Sequence, residues 1–133
     1  MSDRLVFHLT TGAAWAEAEA VGAYRPASLS TEGFIHCSNP AQVPRVARER
    51  FAGEGDLLLL AVSPLALPAG VELVDEPGDP GSDERFPHVY GEIPTAAVRG
   101  RHALPPPPPP GEDDEGGTWH GALQRALASL GAS

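Results

Sequence analysis

Lysine is missing from this 133-residue chain, in which all nine basic residues are arginine. Schiff-base chemistry, a phosphate-loop lysine and an acetylation switch are excluded with it. One cysteine is present, so an intramolecular disulfide and every multi-cysteine zinc cage are ruled out, and a reducing cytoplasm is the expected compartment. No long apolar run occurs, and Met1–Asp3 leads into an alternating strand pattern rather than a signal sequence. A cytoplasmic protein with no membrane partner is therefore expected. Positive charge is scarce, with nine Arg against 18 Asp and Glu for a net charge of −9. General nucleic-acid binding needs a basic face whose counterions are released on contact, so it is not expected here. A small anion held by one or two arginines is compatible with the same balance.

What the chain does contain is 41% hydrophobic residues, 15 Gly and 15 Pro, enough for one core, since about 100 to 150 residues is the usual size of a single hydrophobic nucleus. Composition breaks after Leu104. The expected folded domain is 3–104, followed over 105–117 by a stiff polyproline run, Pro105 to Pro110, and a solvated acidic stretch. Thr118 can cap a short amphipathic helix over 118–131, whose Trp119, Leu123, Leu127 and Leu130 share a face. That stripe either docks on its own domain or binds a protein partner.

Within the domain, Leu5 to Leu9 reads as a strand closed by Thr10 and Thr11, and Ala13 to Val21 as a helix stopped at Gly22. Gly33 to Cys37 is a second strand, and Asn39-Pro40 opens a helix that becomes regular near Pro44 and runs to about Phe51. The four leucines from Leu57 fit a strand buried on both faces; Val71 to Val74 is a half-exposed strand, 75–85 an acidic loop, and His88 to Tyr90 a last short strand. This order predicts a mixed α+β fold with a largely antiparallel sheet and two packed helices.

Three histidines fall in these strand patterns, each with a hydroxyl two residues on, as His8/Thr10, His36/Ser38 and His88/Tyr90. Residues two apart share a strand face, so three edges of one cleft follow if the strands are neighbours. Separations of 28 and 52 residues, without H-x-H or H-x-x-x-H, do not suit a metal site, and none is expected. Cys37 adjoins His36 but points to the opposite face of a strand, which fits a buried residue better than a nucleophile. Arg25, between Tyr24 and Pro26, is the candidate anion clamp, with Arg85 a weaker one. The acids Asp75, Glu76, Asp79, Asp83 and Glu84 lack calcium-loop spacing and read as a solvated turn.

Phe7-His8-Leu9-Thr10, Tyr24-Arg25-Pro26, Glu32-Gly33-Phe34-Ile35-His36-Cys37-Ser38 and Arg85 to Gly91 together resemble the bacterial and plant family catalogued as domain of unknown function 952. That family is in turn similar to the ADP-ribosyltransferase superfamily, which binds NAD in a cleft between two small sheets. The resemblance implies an NAD or nucleotide ligand, a small-molecule substrate, and transfer or hydrolysis at the nicotinamide ribose. It further implies cofactor contacts from His8, Thr10, Arg25 and Ser38, with His36, His88 and Tyr90 at the reacting end. Mono-ADP-ribosylating enzymes carry a glutamate where His88 or Tyr90 stands, so the arrangement looks more like the tRNA 2′-phosphotransferase branch, although the net negative charge favours a small nucleotide over tRNA. The alternative is a non-catalytic small-anion-binding module with a partner-recruiting tail.

Overall fold

Four consecutive leucines demand cover on both faces of any strand they form. The computed structural model, which describes residues 4–132 and the backbone alone of Glu115, provides that cover. The leucines begin β4 (Leu57–Val62), the centre of a three-stranded antiparallel sheet flanked by β1 (Val6–Thr11) and β8 (Val98–Leu104). Leu57, Leu59 and Ala61 join Phe7 and Leu9 in one core cluster, covered by α3 (Val43–Arg50) and α4 (Thr118–Ser129). Leu60 and Val62 join Val6 in a second cluster with Trp15 and Ala18 of α1 (Gly12–Val21). Each fully buried leucine contributes about 2 kcal/mol, so β4 is the spine of both cores.

Two smaller sheets complete the second layer. β2 (Ala23–Tyr24) pairs with β7 (Ile93–Pro94), and β3 (Ile35–His36), β6 (Arg85–Tyr90) and β5 (Glu72–Pro77) form a sheet in the order β3-β6-β5. A single bridge, Phe7 opposite Ser38, ties β1 to the chain just after β3 through backbone bonds of 2.8 and 2.7 Å. Local chemistry sets the helix ends. Thr11 caps α1 by accepting from Ala14 N at 3.1 Å, and Gly22 ends it at φ 86°, a left-handed conformation that suits glycine. Asn39 N donates to Gln42 Oε1 at 2.9 Å, opening a one-turn 3-10 segment that leads into α3 with Pro44 in its first turn, where a missing N–H costs no helix bond.

The α+β class with antiparallel pairing is observed, with three differences in detail. The expected single sheet is three sheets, and the two helices expected within the domain, α1 and α3, are joined by the short α2 (Ala27–Thr31), while the helix expected over 118–131 is α4. The expected loop at 75–85 is strand at both ends, because Asp75, Glu76 and Pro77 pair with Pro87, Phe86 and Arg85 through backbone groups that need no apolar side chains. β8 likewise escapes the apolar pattern; Gly100 leaves room for α4, since a Cβ there would lie 2.8 Å from Leu130 Cδ2.

The proline run is a strap and not a free spacer. Arg48 of α3 donates to the carbonyls of Pro108 (3.3 Å), Pro109 (2.9 Å) and Glu112, while Gly53 N reaches Pro107 O at 2.9 Å and Trp119 Nε1 reaches Pro105 O at 2.9 Å. Gly117 stands at the N-cap of α4 with Thr118 as its first residue, and Asp114 accepts from Trp119 N and His120 N. Trp119, Leu123 and Leu127 are buried in the first core cluster with Leu130 packed against it, so the apolar stripe of α4 is covered by its own domain. Among the described residues no helix is long and apolar enough to cross a membrane.

Candidate functional site

β1 and β3 part after the Phe7–Ser38 bridge, and a cleft of about 260 Å³ opens there, with α3 and the β5–β6 connection as its other walls. His8, His36 and His88 all line it. His36 and His88 are direct cross-strand partners, with ring centroids 5.3 Å apart. Phe34 stacks on His88 at 4.1 Å and meets His36 edge-on at 4.8 Å. His36 is exposed whereas His88 is only 2% exposed.

Each of these two imidazoles is backed by a carboxylate. His36 Nε2 lies 2.8 Å from Glu32 Oε2, and His88 Nδ1 lies 2.8 Å from Glu76 Oε2, which also accepts from the Tyr90 hydroxyl. A neutral ring that donates to its carboxylate keeps one lone pair, so His36 retains Nδ1 and His88 retains Nε2 as acceptors. The His36 bond holds Glu32 below the usual carboxylate range, and the Tyr90 and His88 bonds do the same for Glu76. In return Glu76 pushes the Tyr90 phenol up.

His8 differs. Burial pulls its imidazole down to about 4, so it is neutral near pH 7. Nδ1 lies 2.5 Å from the His36 carbonyl oxygen and must carry the proton, which leaves Nε2 to accept from the Tyr24 hydroxyl at 2.7 Å. The phenol has one proton, so its 2.9 Å bond to Thr10 Oγ1 is donated by Thr10. Both ring nitrogens of His8 are thereby engaged within the protein.

The remaining sequence-derived candidates divide. Ser38 lines the cleft and Tyr90 stands beside it on Glu76, whereas Thr10 is buried behind His8. Arg25 forms an exposed pair with Glu92 at 3.0 Å and does not line the cleft, because the turn after β2 carries it elsewhere; Arg85 donates to Asp75 O at 3.0 Å. The cleft's cations come instead from α3. Arg45 is held by Glu84 and by Glu49 at 3.6 Å, while Arg50 has no ion pair or hydrogen bond among the described residues. Cys37 is 2% exposed and burial pushes its thiol up to about 12, so no thiolate is available at neutral pH. Among the described residues, no three His, Cys, Asp or Glu side chains are placed to hold a metal ion.

Glu32, Glu76 and Arg50 were not singled out by sequence reasoning. Glu32 carried a signal, standing four residues before His36. Glu76 did not: it was grouped with a solvated turn, yet it sits diagonally across the β5–β6 ladder from His88, and Glu84 from the same group anchors Arg45 and accepts from Gln42 at 3.2 Å.

The family described as protein of unknown function DUF952 matches residues 9–100. The X-ray crystal structure of protein CC0527 from Caulobacter crescentus is similar at a TM-score of 0.64 and 30% identity, covering 75% of this chain and 85% of that one. The solution NMR structure of CC0527 is similar at a TM-score of 0.62 and 29% identity, covering 85% of this chain and 90% of the other. No curated protein matches this chain.

Proposed function

The chain belongs to the DUF952 family, and from the cleft described above we propose that it binds a nucleotide, with NAD as the leading candidate, and catalyses transfer or hydrolysis at the nicotinamide ribose of a small-molecule substrate. The ADP-ribosyltransferase likeness behind this reading rests on the residues of the motifs. The observation that carries it is the pair of carboxylate-backed imidazoles, His36–Glu32 and His88–Glu76, standing side by side as cross-strand neighbours in the lining of one cleft. A carboxylate fixes the tautomer and orientation of an imidazole and raises its strength as a base.

In this reading one imidazole takes the proton of an attacking water or hydroxyl. The oxygen's electron pair forms the bond to the anomeric carbon as the C–N bond breaks, and that bond's pair leaves with nicotinamide. Arg50, whose charge also acts on Glu32, faces the phosphate, the role assigned from sequence to Arg25. His88, stacked on the ring of Phe34, borders the ribose, and Ser38 offers a hydroxyl beside its bridge to β1. A cleft of about 260 Å³ lies just below the range of ligand sites, which span roughly 300 to 1,000 Å³. It suits a mononucleotide or one half of a dinucleotide, with the rest reaching outward.

Calorimetric titration of NAD, ADP-ribose and nucleoside phosphates tests the proposal. Saturable binding supports it, and no heat at millimolar ligand removes it. A non-catalytic anion-binding module is favoured by one observation, Arg50 lining the cleft without an ion pair among the described residues; binding with no consumption of NAD by chromatography would select that second reading. Its partner-recruiting tail would need the α4 stripe to leave the core.

A further inference from the structure

The junction between β1 and β3 contains an irregularity that the proposed chemistry does not use. In an antiparallel ladder the residue opposite His36 would be Leu9, two steps along each strand from the Phe7–Ser38 pair. The ladder stops at that one bridge instead, and the carbonyl of His36 is taken by a side chain, His8 Nδ1 at 2.5 Å. The other ring nitrogen is held at 2.7 Å by Tyr24, whose hydroxyl is braced in turn by Thr10 at 2.9 Å, and Tyr24 itself is buried beside Trp15 in the second core cluster. A chain of three hydrogen bonds thus runs from a buried threonine to the peptide that carries His36.

We infer that His8 is a positioning residue for His36: its imidazole wedges β1 and β3 apart, fixes the His36 peptide, and contacts no ligand itself. The inference rests on the reading that His36 acts in the cleft, but its structural content stands separately. A core histidine satisfied by any nearby carbonyl would serve stability alone. Here the carbonyl belongs to the residue whose ring meets Glu32 and faces His88, and the wedge lies where the cleft opens. Displacing that peptide moves the His36 ring against Glu32 and against its neighbour on β6, His88.

Nitrogen-edited NMR of the histidine rings in the full chain tests this without any ligand. The expected result is a neutral, Nδ1-protonated His8 at pH 7. An Nε2-protonated ring, or a His8 that titrates as a free histidine does at about 6.5, overturns the inference. Two substitutions extend the test. His8→Leu removes the donor and is expected to move the His36 ring resonances away from their wild-type positions. His8→Asn places an amide N–H near the former Nδ1 and is expected to return those resonances toward wild type. ADP-ribose affinity is expected to follow, about tenfold weaker in His8→Leu and largely restored in His8→Asn. Identical His36 ring resonances in all three proteins overturn the proposal. Should His8→Leu fail to fold, Tyr24→Phe serves in its place, with an unchanged His8 ring signal as the refuting outcome. Wild-type protein that shows the expected His8 tautomer but binds no ADP-ribose strikes the nucleotide reading and leaves the positioning role intact.

Discussion

The two three-stranded sheets follow the same antiparallel rule and use their side chains in opposite ways. In β1-β4-β8 the central strand is buried along nearly its whole length and feeds two apolar cores. In β3-β6-β5 only the inner residues, such as Ile35 and Val89, are apolar and sealed, while the outer strand presents Glu72, Asp75 and Glu76. The difference teaches a division of labour. Buried polar groups cost free energy unless each is paired, so a sheet that concentrates apolar burial lets its smaller neighbour carry histidines, carboxylates and a phenol in mutual hydrogen bonds.

The largest effect should fall on the larger sheet. Leu59→Ala, fully buried in the first core, is expected to cost about 3 kcal/mol and to lower the calorimetric Tm by several degrees, with Trp119→Ala at least as damaging because the indole also holds Pro105 O. An equal loss from a substitution on the exposed face of β5 would break the comparison. Next in size, His36→Gln should leave chemical denaturation within about 1 kcal/mol of wild type while lowering NAD turnover about 100-fold, measured by nicotinamide release.

The pH response sharpens the contrast at the junction of the sheets. His8 has its folded value pulled below that of the unfolded chain, so its contribution is complete above about 6.5 and is lost as the pH falls through about 4. Glu32 and Glu76, both depressed, act in the same direction at lower pH. Urea unfolding between pH 7 and pH 4 should therefore show stability falling by on the order of 2 kcal/mol from His8, with a weaker decline in His8→Asn. The smallest effects belong to the arginines. Arg50→Gln should weaken a nucleoside monophosphate about tenfold while sparing the uncharged nucleoside, read by calorimetry. Arg25→Ala, which breaks only an exposed pair with Glu92, should change both binding and stability by less than about 0.5 kcal/mol.

Periodicity made the larger sheet's core legible. β1, α1 and the leucine strand β4 declare themselves because burial imposes a side-chain pattern on them. β8 and the ends of β5 do not, since a ladder on an exposed edge is held by peptide groups common to every sequence. The same reasoning divides the site. His8, His36, Ser38 and His88 were found because a two-residue step puts them on definite strand faces. Glu76 and Arg50 were missed because their relation to the histidines runs through strand register and the placement of α3, which no local window contains. Arg25 was chosen for closeness along the chain to His36, and chain closeness is not spatial closeness once a turn intervenes.

The single Phe7–Ser38 bridge also bears on how the molecule opens. That bridge supplies two backbone hydrogen bonds between a leucine-rich slab and a smaller leaf, whose Ile35 and Val89 also pack with Val6, Leu60 and Val62 of the slab. Amide protons of β3, β5 and β6 should therefore trade with deuterium through partial detachment of that leaf, while those of β4 wait for the whole slab to come undone.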